Sequence, residues 1–388
     1  KKYKNRNLFI INIVNKINFL KKIFFYKNIF SKLNLPYVVL DEYITIKDIL
    51  AIYLNSLSNF TKILLFCNKK ENKKIFFING TNCRNILLPH LLNSFCGTAQ
   101  EFILRAKSKY NFLKDNNKKI FICYGEFNPG YLASYHFVKK ANPKTLTISI
   151  QHSYANKNLM FFKNYKNQFV NKNKNFISPM PDKYFVMGNH YKKILKKYYP
   201  KEIKIIGALR YDKLSKKKLK KKKINFSKFT ILVCPAIGDE ETIINCLKDV
   251  DLKNFKVILS PHPVVFKKTI LKFKNELGIS FDYFSNYSSI DLISSVDLVL
   301  CSFSSMSLES LVIGKPSARL INENYPFHFD LKDGIKYFTD PNSLSKFLKN
   351  KKQILSQNFN KSICSNIFFK LDNKSYIRFW NSIPKNNF

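Results

Sequence analysis

No P-loop, GxGxxG, GxSxG or HExxH element occurs in this chain. The missing glycine-rich phosphate loops argue against a P-loop kinase and a nicotinamide dehydrogenase, and the missing GxSxG argues against a serine hydrolase. Arginine is scarce. Arg6, Arg84, Arg105, Arg210, Arg319 and Arg378 are the six, and the other 61 of the 67 basic residues are lysine. Nucleic-acid readers enrich arginine, whose planar fork grips phosphates and guanine edges. Here lysine accompanies abundant Asn, Ile, Phe and Tyr, so an AT-rich codon bias accounts for the net charge of +42 and no nucleic-acid partner is expected. The eight cysteines include no CxxC pair, which argues against structural zinc, and no metal site is expected. Cys123, Cys234 and Cys301 sit in apolar runs, as buried free thiols of a reducing cytoplasm would. No apolar run approaches the ~20 residues of a membrane span, and no repeat of solenoid period is visible. There is no signal-peptide pattern at the start, and a first residue of Lys rather than Met suggests a missing or cut N-terminus.

What is present is a globular chain of 388 residues, 45% hydrophobic, long enough for two domains. Its first sixty residues read poorly: 7–14 could be a strand, and 41–57 reads as a helix with Ile44, Ile46, Ile49, Leu50 and Tyr53 as its apolar face. Segments 61–67 (TKILLFC) and 74–78 (KIFFI) read as strands, and 87–107 as a helix. From 118 the pattern becomes regular. Strands at 118–126, 145–150, 183–187 and 203–206 alternate with helices at 131–139 and 190–199. A lysine run, 215–223, then reads as a solvated linker with some attraction for anionic membrane. The alternation restarts with strands at 229–234, 255–259, 281–284, 298–301 and 315–321, and helices from 238, at 265–277, 290–294 and 307–313. Late helices follow at 343–359 and 376–383. Strands alternating with helices imply parallel sheets covered on both faces. The expected architecture is therefore α/β, with two Rossmann-like domains facing a cleft. The first is 1–214, a basic linker takes 215–226, and the second is 227–388, with the last helix able to pack back on the first domain.

The polar clusters fall at the carboxyl ends of the predicted strands, where open parallel sheets bind ligands. In the first half they are Glu126, then Gln151-His152-Ser153, then Gly188, then Arg210. In the second half they are Gly238-Asp239-Glu240, then Pro261-His262-Pro263, then Ser304-Ser305 with Glu309. Residues 297–316 (DLVLCSFSSMSLESLVIGKP) read as a strand, a serine-rich turn and a helix stopped by Gly314 and Pro316. Hydroxyls and free N–H groups at a helix start suit a phosphate, though an ordinary serine-capped turn has the same pattern. Two prolines hold His262 stiffly, as a donor to phosphate or as a capped loop histidine. Glu126 is either a desolvated base or an acid favoured by a helix dipole. His152 is either a second acid/base or a hydrogen-bonded loop residue.

These elements resemble bacterial surface-carbohydrate (O-antigen or capsule) biosynthesis proteins of the two-domain GT-B kind. ISIQHS, SPMPDKYFVMG and GALRYDKL follow one another as in a family whose members carry Gln-His-Ser, Met-Pro-x-Pro-Asp-like and Ala-Leu-Arg-Tyr elements. Here these are Gln151-His152-Ser153, Pro179-Met180-Pro181-Asp182 and Ala208-Leu209-Arg210-Tyr211. The second half is similar to Kdo transferases, polysialyltransferases and CDP-glycerol glycerophosphotransferases, through His262-Pro263, Ser304-Ser305 and Glu309. The resemblance implies a metal-independent, cofactor-free glycosyltransferase that takes a CMP- or CDP-activated donor. His262, Pro263, Ser304, Ser305, Glu309 and Gly238 would hold that donor. Gln151, Ser153 and Arg210 would orient substrate, and Glu126 and His152 would act in catalysis. The acceptor would be a glycan or lipid-linked glycan, and the location cytoplasmic, peripheral at the inner membrane. The alternatives are a CDP-polyol phosphotransferase and a non-enzymatic basic surface-binding protein. A UDP-sugar epimerase of similar architecture is disfavoured because its acidic and arginine signature elements are not evident.

Overall fold

A computed structural model of the chain describes residues 40–116, 119–125, 129–152, 177–212, 224–236, 239–262, 281–282, 287–320, 335–357 and 361–384. The chain divides into two compact units. One comprises Lys1–Ile150, Tyr165–Tyr184 and Ile383–Phe388, and the other Gln151–Asn164 and Phe185–Ser382. The expected strand at 7–14, the helix at 265–277 and the lysine run 215–223 lie outside the described residues.

The first described helix, α1 (Ile46–Asn68), starts at a capping box. The Asp48 N–H donates to Thr45 Oγ1 at 3.1 Å, and the Thr45 N–H donates to the Asp48 carboxylate at 3.2 Å. The helix read at 41–57 and the strand read at 61–67 are thus one helix of 23 residues. Once the box nucleates it, nothing between Ile46 and Asn68 stops it, because the segment has neither glycine nor proline. Asn55, Ser56, Ser58 and Asn59 interrupt the apolar run in the linear sequence. The folded helix is nevertheless long and apolar enough to cross a membrane, contrary to the sequence expectation. Its Ile46, Leu50 and Tyr53, read as part of its apolar face, are exposed.

A two-residue hairpin follows, β1 (Phe77–Ile78) with β2 (Thr81–Asn82), turning through Asn79-Gly80. Only this part of the strand expected at 74–78 is extended. The long helix expected at 87–107 is two, α2 (Arg84–Asn93) and α3 (Ala99–Asp115), joined by a π-helical turn at Ser94–Thr98.

From Ile120 the expected alternation is present. β3 (Ile120–Tyr124), α4 (Pro129–Ala141), β4 (Leu146–Ile150), β5 (Lys183–Val186), α5 (Asn189–Lys196) and β6 (Glu202–Ile205) follow in order. The strands lie in the sheet order β3-β4-β5-β6, and β3 and β4 pair in parallel from Ile120 opposite Leu146 to Tyr124 opposite Ile150. Gly188 ends β5 against the backbone of the C-terminal helices: a Cβ there would stand 2.3 Å from the Asn366 carbonyl oxygen.

The second sheet holds β7 (Thr230–Cys234), then α6 (Glu240–Lys248), β8 (Lys256–Leu259), α7 (Ser289–Ile293), β9 (Leu298–Cys301), α8 (Met306–Ile313), β10 (Ser317–Leu320) and β11 (Lys336–Phe338). All its pairings are parallel and its order is β11-β10-β9-β7-β8. The strand expected at 281–284 is, within the described residues, a single bridge from Asp282 to Ile258. Side chains of β7 and β9 alternate between two cores. Ile231, Val233, Leu298 and Leu300 enter one, and Leu232, Cys234, Val299 and Cys301 the other. A strand buried on both faces needs such a continuous apolar run.

Helices α9 (Pro341–Lys349), α10 (Lys351–Leu355), α11 (Lys361–Phe368) and α12 (Ser375–Asn381) complete the chain. The last packs beside β5 and β6: Phe379 meets Phe185 edge-on at 5.6 Å, and Arg378 Nε donates to the Ile206 carbonyl at 2.7 Å. The fold class is α/β with Rossmann-like parallel sheets, as the strand–helix alternation implies.

Candidate functional site

Strand order locates the site. The chain leaves β7 toward β8, then crosses back to β9 on the other flank of β7 and continues outward to β10 and β11. This reversal makes a switch point between β7 and β9, and a crevice opens beyond their carboxyl ends. The residues there are Pro235-Ala236 after β7 and Ser302 to Ser305 after β9. The Ala236 N–H donates to Ser302 Oγ at 3.0 Å and ties the two strand ends together. Asp239, the residue before α6, is buried. Burial pushes its carboxyl up to about 6, the nearby Glu240 charge adds to the rise, and the Ser302 hydroxyl and Ala236 N–H offset part of it.

The serine turn uses some of its own donors. Ser305 Oγ donates to Glu309 Oε1 at 3.2 Å, and Ser304 Oγ accepts the Met306 N–H at 3.3 Å. Ser307 Oγ accepts from Arg319 Nε at 3.0 Å under the helix. Gly314, at φ 82°, ends α8 in the left-handed conformation expected of a glycine stop. Glu309 is fully buried, and burial raises its carboxyl above the ordinary range against the pull of Arg210, Ser305 and Tyr211.

Arg210 reaches that carboxylate from another element. Its Nη2 lies 3.2 Å from Glu309 Oε1. The segment after β6 is built to present it. Gly207 turns at φ 90°, and the Tyr211 and Asp212 N–H groups close onto the Ala208 carbonyl at 2.9 and 2.8 Å. Tyr211 is buried edge-on against Phe368 at 5.2 Å. The Asp212 carboxylate accepts the Asn373 and Ser375 N–H groups at 2.7 and 2.8 Å, holding the start of α12. With the next two residues anchored, Arg210 is left partly exposed beside Glu309.

His262 follows β8 and is exposed. Partial burial of its ring and the nearby Arg210 charge hold its pKa below the ordinary value, while Glu240 pulls the other way. Arg210, Glu309, Ser305, His262 and Glu240 therefore form one electrostatic neighbourhood. Gln151 is buried after β4, and its Oε1 accepts the Met187 N–H at 2.9 Å, a bond that links β4 to the end of β5. His152, next to it, is exposed. Glu126, Ser153, Gly238 and Pro263 lie outside the described residues.

Sequence reasoning did not assign roles to Asp239, Ser302 or Arg319. The first two stand at the switch point. Arg319 is fully buried in β10, bonded to Ser307 and Tyr337. An arginine within a predicted strand was the available signal for it, and the strand order was needed for the other two.

No protein-family model matches the chain, and no curated protein matches it. Solved structures do. A Staphylococcus aureus MnaA–UDP co-structure is 12% identical, covers 74% of this chain and 84% of its own, and has a TM-score of 0.51. A Methanocaldococcus jannaschii UDP-GlcNAc 2-epimerase in complex with UDP-GlcNAc and UDP is 14% identical, covers 75% and 83%, and has a TM-score of 0.47. The wall teichoic acid polymerase TagF, soaked with CDPG, is 15% identical, covers 76% and 95%, and has a TM-score of 0.42. The likeness to MnaA speaks to the fold alone, and the two with lower TM-scores carry no argument.

Proposed function

We propose that this chain is a GT-B-type glycosyltransferase of bacterial surface polysaccharide assembly, moving a sugar from a CMP-linked donor to a glycan acceptor at the cytoplasmic side. The observation that carries this reading is the Arg210–Glu309 pair. It stands 3.2 Å apart at the serine turn, with His262 close enough to feel Arg210. Departure of a nucleotide leaves negative charge on phosphate, and fixed donors at that position stabilise it. Arg210 supplies a planar cation, held in place by a buried acid. Ser304, Ser305 and a neutral His262 supply hydrogen bonds. In this reading Glu309 aims the Arg210 guanidinium rather than touching the sugar. The acceptor hydroxyl needs a base, and that role falls to Glu126, with His152 as a second acid/base. Ser153 orients substrate, while Gln151 braces the strand ends through its bond to Met187. Pro263 and Gly238 belong to the donor-binding set in this reading.

The test is a panel of CMP, CDP, UDP, GDP and ADP, read by thermal shift and calorimetry. CMP should bind best, and Arg210→Ala and His262→Ala should each weaken it by about tenfold, the value of one charge-assisted contact. A CDP preference moves the transferred group to a polyol phosphate. UDP preference discards the cytidine donor and reopens the epimerase reading. Affinity unchanged in both variants removes this pocket as the donor site.

A further inference from the structure

Helix α1 has two apolar faces and uses one. On the packed side Ile52, Ser56 and Cys67 are buried, Ser56 Oγ donates to the Cys96 carbonyl at 2.7 Å, and Asn111 of α3 donates to Asp48 at 2.8 Å. On the other side Ile46, Leu50, Tyr53, Leu54 and Leu57 are exposed by 57 to 77%. Their spacing of four, three, one and three residues is that of a single helical stripe. The hairpin residues Phe77 and Ile78, each 51% exposed, extend the apolar surface of this region. Of the seventeen large hydrophobic side chains exposed among the described residues, thirteen fall between Ile46 and Phe95. Exposure so concentrated marks a surface with an occupant, whereas scattered exposed residues would not.

The charge beside this surface identifies the occupant. Lys62 near the end of the helix and Lys69, Lys70, Lys73 and Lys74 between the helix and the hairpin are all exposed, against the single acid Glu71 in that stretch. We infer that this face of α1 and the adjoining hairpin form an interfacial docking surface for an anionic lipid bilayer. A second copy of the chain would bring five lysines against five others, whereas anionic headgroups neutralise them while the acyl region takes the leucines. The helix lies on the bilayer rather than crossing it. A spanning helix would have to give up its packing on α3, and its flanks carry Lys47, Asn55, Ser58 and Lys62. This inference does not depend on the donor chemistry.

The experiment is vesicle flotation with the full chain and no nucleotide. It compares equimolar phosphatidylglycerol and phosphatidylcholine with phosphatidylcholine alone. The wild type should float with the mixed vesicles and release as salt rises. Combined Leu50→Gln, Leu54→Gln and Leu57→Gln should lower vesicle affinity by at least about tenfold with an unchanged melting curve. Leu54→Gln alone, a milder change at an exposed position, should lower it by about fivefold. Lys69→Gln, Lys70→Gln, Lys73→Gln and Lys74→Gln together should abolish the preference for the anionic vesicles. A wild type that stays unbound overturns the inference. So does leucine-variant binding equal to wild type, or a wild-type dimer that the leucine changes split while neither protein floats.

Discussion

Two apolar segments of nearly the same composition meet opposite fates. TILVC, residues 230–234, is a central strand with every side chain buried. KILLFC, residues 62–67, is the last part of helix α1, with Leu65 62% and Phe66 52% exposed. Both read as strands in isolation. Phe229 and Pro235 bracket the first, and Pro235 cannot continue a ladder, so it stays a short strand that neighbours can cover on both sides. The second follows a capped helix that meets no breaker, so the helix runs through it and turns part of it to solvent. Apolar composition therefore does not decide burial. The boundaries of the element and its partners do.

Changes of side chain test this contrast. Leu232→Ala, at a fully buried position in β7, should cost about 2–5 kcal/mol in urea unfolding, the usual loss when a buried leucine leaves a cavity. A loss under ~1 kcal/mol would mean that the two-sided core is looser than its burial implies. The next effect depends on pH. Asp239, beside the same sheet, has its carboxyl raised from 3.8 to about 6 by burial. A carboxyl raised on folding contributes its full stability below about 3.8 and loses it as pH climbs through about 6, where the buried group must ionise. Asp239→Asn escapes that loss. Between about pH 4 and pH 7.5 the variant should gain ~1–2 kcal/mol on the wild type, seen as a growing Tm difference. A difference that stays flat across this range would show that the carboxyl is not desolvated. The smallest effect belongs to the exposed partner of the comparison. Leu65→Ala should change unfolding by no more than ~0.5 kcal/mol. A loss near that of Leu232→Ala would show that α1 is covered in solution.

Much of the sheet region was legible in the sequence because its signals are local. Short apolar runs, Gly and Pro punctuation and serine-rich turns placed β3 through β10 within a few residues. Two elements escaped. Lys336–Phe338 is too short to show a period, and the helix Lys361–Phe368 was not among those expected. Before Ile120 the reading failed where helix and strand patterns overlap. The capping box at Thr45 and Asp48 was present in the sequence, and the helix it starts was read, but Asn55, Ser56, Ser58 and Asn59 disguised how far it extends.

The sequence by itself determined the kind of fold and the polar residues that cap its strands, because alternation and turn chemistry act between neighbours along the chain. Strand order was decided by the tertiary structure. A crossover of some forty residues, from Leu259 to Leu298, carries the chain past β7, and no local pattern encodes which edge it reaches. That choice creates the switch point beside Ser302. The meeting of Arg210 with Glu309, ninety-nine positions apart, depends equally on packing, since Tyr211 and Asp212 must first be held by α11 and α12. Long-range contacts of this kind follow from how finished elements fit together, and only the folded chain reveals them.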